Sequence, residues 1–189
     1  MRLKNYERLP ANTNTPSFSG TQSFFQKFLL FFCAAFIGFS ACAQPNHAKS
    51  PHDTLKTNDL TVTYGRPYKK GRDIFGKLEP YGKVYRVGAD EATTITFAKD
   101  GTFGGKPVKA GTYTLFAIPN EKEWTVILNS QLGQWGAFKY DQYKDKDVLQ
   151  VTVPVKTLSA PVEQLTIAAP GKDLTITWDK TQVAVPVSF

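Results

Sequence analysis

Cysteine and histidine are the scarce residues of this 189-residue chain, two of each. Cys33 and Cys42 both lie near the N-terminus, so the body of the chain has no disulfide and needs an ordinary apolar core. Residues 44–189 are long enough to bury one without staples. His47 and His52 fall in a polar segment, 44–56, that reads as a tether. On that reading the body lacks imidazole as well as thiol. Ser-His-Asp and Cys-His sites are then excluded, as are zinc and copper sites rich in nitrogen or sulfur. No G-x-x-x-x-G-K-[ST] phosphate loop is present, and no βαβ unit supports a dinucleotide fold. Asp141, Asp145 and Asp147 lack the glycine and terminal glutamate of a calcium loop, and read as a solvated acidic turn. The expectation is a domain with no cofactor and no metal.

Long blocks of like charge are also missing. The formal charge is +7, but Arg2, Lys4, Arg8 and Lys27 sit with Glu7 before residue 44. The remainder carries 19 basic against 15 acidic residues, mostly scattered lysine. Nucleic-acid binding calls for a basic stripe or a known module, so no nucleic-acid partner is expected. Scattered lysine protects strand edges and keeps the surface soluble.

What is present begins with an apolar run at 28–39, FLLFFCAAFIGF, preceded by Lys27. At 12 residues it is shorter than the roughly 20 that span a bilayer, and it ends in small residues as a secretory signal does. Residues 1–43 are therefore expected to direct export to the bacterial envelope or periplasm. Two processing routes stand open. Ala41-Cys42-Ala43 fits an A-x-A cleavage site, while Phe39-Ser40-Ala41-Cys42 resembles a lipobox, which would acylate Cys42. Acyl chains there would be the one membrane contact of an otherwise soluble domain.

From residue 57 the chain alternates with period two. Leu60, Val62 and Tyr64 share a face, as do Ile95 and Phe97, then Tyr113, Leu115 and Ala117. The pattern recurs at 124–128, 148–155, 165–169, 174–178 and 183–189, and Gly104-Gly105 marks a hairpin. Strands separated by turns, with no intervening helices, predict an all-β domain over 57–189. The architecture expected is an antiparallel β-sandwich, with a partly open barrel as the alternative.

The exception to this plain pattern is the stretch 64–93, YGRPYKKGRDIFGKLEPYGKVYRVGADEAT. It holds Arg66, Arg72 and Arg86, every arginine beyond the leader, in a body that otherwise prefers lysine. A guanidinium grips a carboxylate or phosphate with two parallel hydrogen bonds. A second loop, 130–143, is similarly rich in glycine and aromatics. Long loops on a rigid sheet are where binding residues collect. Arg66, Arg72, Arg86, Asp90, Glu91, Tyr64, Tyr85 and Trp135 are thus the candidate ligand contacts, and Tyr68, Tyr81 and Tyr140 could extend a stacking face for a sugar. The competing reading makes the arginines a fold staple, with Arg86 paired to Asp90 or Glu91, and Arg66 or Arg72 to Asp73 or Glu79. Asp90 and Glu91 are adjacent, so on a strand they would point apart.

Five ordered motifs carry a family resemblance: YGRPYKKGRDIFG, PYGKVYRVGADEATTITF, AGTYTLFAIP, EWTVILN and QWGAFKYD. They resemble the secreted bacterial family known as domain of unknown function 2911, over nearly all of 50–189. The resemblance implies one exported domain and brings no catalytic residues. It also shows a departure: Asp90 stands where the family pattern has Asn. The function expected is a non-enzymatic domain that binds a glycan or small anion. The alternatives are an enzyme built on carboxylates and arginines, and a structural module.

Overall fold

The computed structural model describes residues 50–189. Nine strands run through these residues in one continuous antiparallel sheet: β1 His52–Lys56, β2 Leu60–Gly65, β3 Thr94–Phe97, β4 Gly101–Phe103, β5 Lys106–Val108, β6 Gly111–Pro119, β7 Glu123–Asn129, β8 Asp147–Ala168 and β9 Asp173–Ser188. The spatial order is β1-β2-β3-β6-β7-β8-β9-β4-β5, and the sheet does not close into a barrel. The single α-helix of this region, α1 Tyr140–Tyr143, is one turn long.

The sheet folds over on itself through β8 and β9. The first part of β8 pairs with β7, from Asp147 to Pro154, and its remainder pairs with β9 alone. Two register shifts, between Thr157 and Val162 and between Val162 and Thr166, bend the strand. Bulges of this kind sharpen local twist. The alternation predicted separate strands at 148–155 and 165–169, and again at 174–178 and 183–189. Each pair is one bent strand, because the ladder continues through residues whose side chains face solvent.

Val62, Ile95, Leu115, Val126 and Val151 from one layer meet Leu165, Ile176, Trp178, Val183 and Val185 from the other in a single core. A full core side chain contributes roughly 1.5–3 kcal/mol by burial, so this cluster dominates stability. A smaller cluster, Ala92, Phe116, Ile127 and Tyr140, lies on the opposite side of β6 and β7. There the Tyr140 ring meets Phe116 edge-on at 5.2 Å. Its hydroxyl donates to Asp147 Oδ2 at 2.5 Å, and burial with that carboxylate nearby pushes the phenol above its ordinary range.

The edges are blunted. β5 carries Pro107, and β1 is short and polar. β1 corrects the expected tether. His52–Lys56 pairs with β2 from His52 opposite Gly65 to Lys56 opposite Thr61. The folded region therefore does contain a histidine. The apolar run 28–39, Cys42 and His47 lie outside the described residues. Among those described, no helix is long and apolar enough to cross a membrane.

Candidate functional site

The stretch 66–92 is pinned at several points before it forms anything. Ile74 is fully buried, and the Phe75 ring packs edge-on against Trp124 at 4.7 Å and against Trp178 at 6.2 Å. Tyr85 exchanges backbone hydrogen bonds with Ala117 of β6, at 2.7 and 2.9 Å, which fixes the start of the next turn. Thr93 Oγ1 donates to the Val87 carbonyl at 2.7 Å, and Thr93 N to the Arg86 carbonyl at 3.2 Å. These bonds hold Val87 at φ 55° and Asp90 at φ 64°. A β-branched residue in the left-handed region is strained. Aspartate tolerates it as asparagine does.

The two loops converge. Ala92 N donates to the Gln134 carbonyl at 2.9 Å and Gly136 N to the Asp90 carbonyl at 3.2 Å, and Glu91 bridges Trp135. This zipper holds Trp135 at the mouth of a cleft of about 470 Å³. Arg72, Glu79, Arg86 and Asp90 supply its charged groups, Leu78 and Trp135 its apolar rim, and Trp178 part of its buried lining. Of the eight candidate contacts, Arg72, Arg86, Asp90 and Trp135 meet here.

Arg86 is half-buried, with Nε donating to the Gly88 carbonyl at 3.2 Å. Neither Nη1 nor Nη2 meets an acceptor among the described residues, and no carboxylate lies within ion-pair distance. Gly136, at φ 67°, leaves room for the Phe138 ring and the guanidinium, because a Cβ there would stand 2.8 Å from the ring and 3.1 Å from Nη1. Arg72 is exposed and spends Nε and Nη2 on the carbonyls of Lys69 (2.9 Å) and Tyr68 (2.5 Å).

The remaining candidates stand elsewhere. Arg66 is a staple: Nε donates to the Leu165 carbonyl at 3.0 Å, Nη1 to Asp53 Oδ2 at 3.1 Å and Nη2 to Thr166 Oγ1 at 3.1 Å. Tyr64 belongs to the core, where its hydroxyl accepts from Ile167 N at 3.0 Å. Tyr85 lies beneath the surface, with a buried hydroxyl that meets no hydrogen-bond partner among the described residues. Burial, with Glu79 nearby, pushes that phenol well above its ordinary range. Tyr140 is buried under its loop, and Tyr68 and Tyr81 are exposed outside the cleft. None of the arginine–carboxylate pairings expected of a staple forms among the described residues.

Asp90 and Glu91 face His52 instead of Arg86. His52 Nε2 lies 3.2 Å from Glu91 Oε2 and 4.0 Å from Asp90 Oδ2. The left-handed turn at Asp90 defeats the opposite-faces expectation, which holds only on a regular strand. Asp90 Oδ2 is buried and otherwise unpartnered among the described residues.

Glu79 is the cleft residue that sequence reasoning passed over as a site. It stands in a Gly-bounded turn, with its N–H on the Ile74 carbonyl at 2.9 Å, and looks in sequence like any surface glutamate. Its side chain makes no hydrogen bond or ion pair among the described residues. Burial raises its pKa to about 7, against the opposing pull of Arg86 and Arg72. A second cleft, of about 430 Å³, opens beside Leu60 at the start of β2. Its Lys99 is already paired with Asp59 at 3.2 Å and lies 5.8 Å above the Phe189 ring.

Residues 46–187 match the family described as "Protein of unknown function (DUF2911)". The chain belongs to the DUF2911 family. Comparisons with curated proteins and with solved structures return no match. DUF2911 membership carries no activity with it, so function has to be argued from the cleft.

Proposed function

We propose that this is an exported envelope domain that binds a glycan or small organic anion in the cleft between the 66–92 and 130–136 loops. The observation that carries the reading is Arg86: a half-buried guanidinium in a concave site, with both terminal nitrogens unengaged among the described residues. A planar fork of this kind suits a carboxylate. Trp135, 54 % exposed at the rim, offers a flat face for a ring. A thermal-shift screen with glycans and organic anions tests it. At least one anionic class should raise the melting temperature, and Arg86→Ala should remove that effect. Silence across the whole screen would end the reading.

Export rests on the 28–39 run, and anchoring on Cys42. Mass spectrometry of the mature N-terminus separates acylated Cys42 from a chain that begins at Gln44. A second reading, an enzyme using carboxylates, draws support from Glu79 and Asp90 sharing one cleft. It predicts that a ligand found in the screen is consumed on prolonged incubation. Unchanged ligand would decide for binding alone.

A further inference from the structure

The charged groups of the cleft do not balance in the way a simple anion trap requires. Arg72, Arg86, Glu79 and Asp90 line one space, and Tyr85 lies close enough to Glu79 for that carboxylate to disfavour ionisation of the phenol. With both carboxyls ionised, two positive charges meet two negative ones. An arriving anion would then gain Arg86 and be repelled by Glu79. With Glu79 neutral, the cleft has one net positive charge, matched to a monoanion. A neutral carboxylic acid also has an O–H to donate, whereas a carboxylate only accepts. Glu79 is free for that role, since its side chain has no hydrogen-bond partner among the described residues.

Resting on the anion-binding reading above, we propose that the bound group is a carboxylate carried on a ring, and that Glu79 takes a proton from solvent as it binds. That proton is donated in a hydrogen bond to the ligand, whose carboxylate also receives the Arg86 fork while its ring lies against Trp135. A phosphate near neutrality carries between one and two negative charges, more than a carboxylate, and would face Asp90 as well, so the cleft favours the singly charged group. Burial at Glu79 supports the assignment: its proton is already half-held near neutral pH, and a second negative charge alongside tightens that hold.

The test uses D-glucuronate as probe, with methyl glucoside and inorganic phosphate beside it. Calorimetry in two buffers of different ionisation heat reads the proton exchange directly. Uptake of about half a proton is expected at pH 7, rising toward about one at pH 8, with affinity falling about tenfold per pH unit above neutrality. Glu79→Gln, whose amide donates at every pH, should bind with no such slope. Asp90→Asn, which leaves Glu79 in place, should keep it. Binding of glucuronate with no proton exchange would overturn this inference and leave the anion reading standing. So would tighter binding of phosphate, or a slope that vanishes in Asp90→Asn and persists in Glu79→Gln. No binding of glucuronate between pH 5 and 9 overturns it too, whereas the anion reading falls only if the full screen is silent.

Discussion

Arg66 and Arg86 lie twenty positions apart in one glycine-rich stretch, and the fold uses them in opposite ways. Arg66 leaves the end of β2 and finds oxygen at all three donor positions, from Leu165 and Thr166 on β8 and from Asp53 on β1. Arg86 follows Tyr85 into a turn whose carbonyls are taken by Thr93, and only Nε is satisfied. The difference lies in the neighbouring backbone. Next to Arg66 runs a bent strand with an accessible carbonyl at Leu165. Next to Arg86 lies a loop zipper that spends its carbonyls on its own amides. The engaged guanidinium of Arg66 is part of the architecture, and the unengaged one of Arg86 is what the binding proposal rests on.

The contrast can be broken at its root by Gly65→Ala. A Cβ there would stand 2.2 Å from the Ala89 carbonyl oxygen, so β2 and the cleft turn cannot both keep their places. A loss of about 3 kcal/mol or more in urea denaturation is expected, with both arginine environments disturbed. Arg66→Ala sharpens the contrast. The Leu165 carbonyl loses its charged donor, while the half-exposed pair with Asp53 contributes little. A loss of about 2 kcal/mol by denaturation should follow.

Glu79→Gln should act in the other direction. The wild-type carboxyl has a folded pKa of about 7 against an ordinary 4.5. Its contribution to stability is complete below about pH 4.5 and is lost as the pH rises through 7. The variant escapes that loss, and with a discount for partial exposure it should be more stable at pH 8 by about 1–2 kcal/mol. At pH 4 the two proteins should melt alike. The smallest effect is reserved for Arg86→Ala, within about 1 kcal/mol of wild type, since a single hydrogen bond to Gly88 is removed. A stability loss equal to that of Arg66→Ala would erase the distinction between the two arginines.

The strands were legible because period-two burial leaves a mark in the residues themselves. Leu60, Val62 and Tyr64 alternate with threonines, and all three side chains are buried. What failed to show was continuity. Pro161 and the polar residues around it look like a break, yet the β8 ladder resumes beyond them. β1 was invisible for a related reason: HDTLK pairs by backbone and has little apolar pattern to betray it. With β1 mistaken for tether, His52 was missed as the partner of Glu91 and Asp90. In the cleft, residue type pointed to Arg72, Arg86, Asp90 and Trp135, but a role depends on which acceptors stand nearby. That information comes from contacts distant in sequence, and Leu165 for Arg66 is the plainest case. Glu79 carried no local mark, because its character comes from burial alone.

The close approach of Gly65 to Ala89 has one more consequence, for how such a cleft could be altered. At that contact the wall is main chain, and main chain offers nothing for substitution to vary. The apolar rim is instead made of side chains, Leu78 and Trp135, on two different loops whose anchors, Phe75 and the Gln134 carbonyl, are separate residues. Exchange of those two side chains would therefore reshape the opening and leave the frame in place.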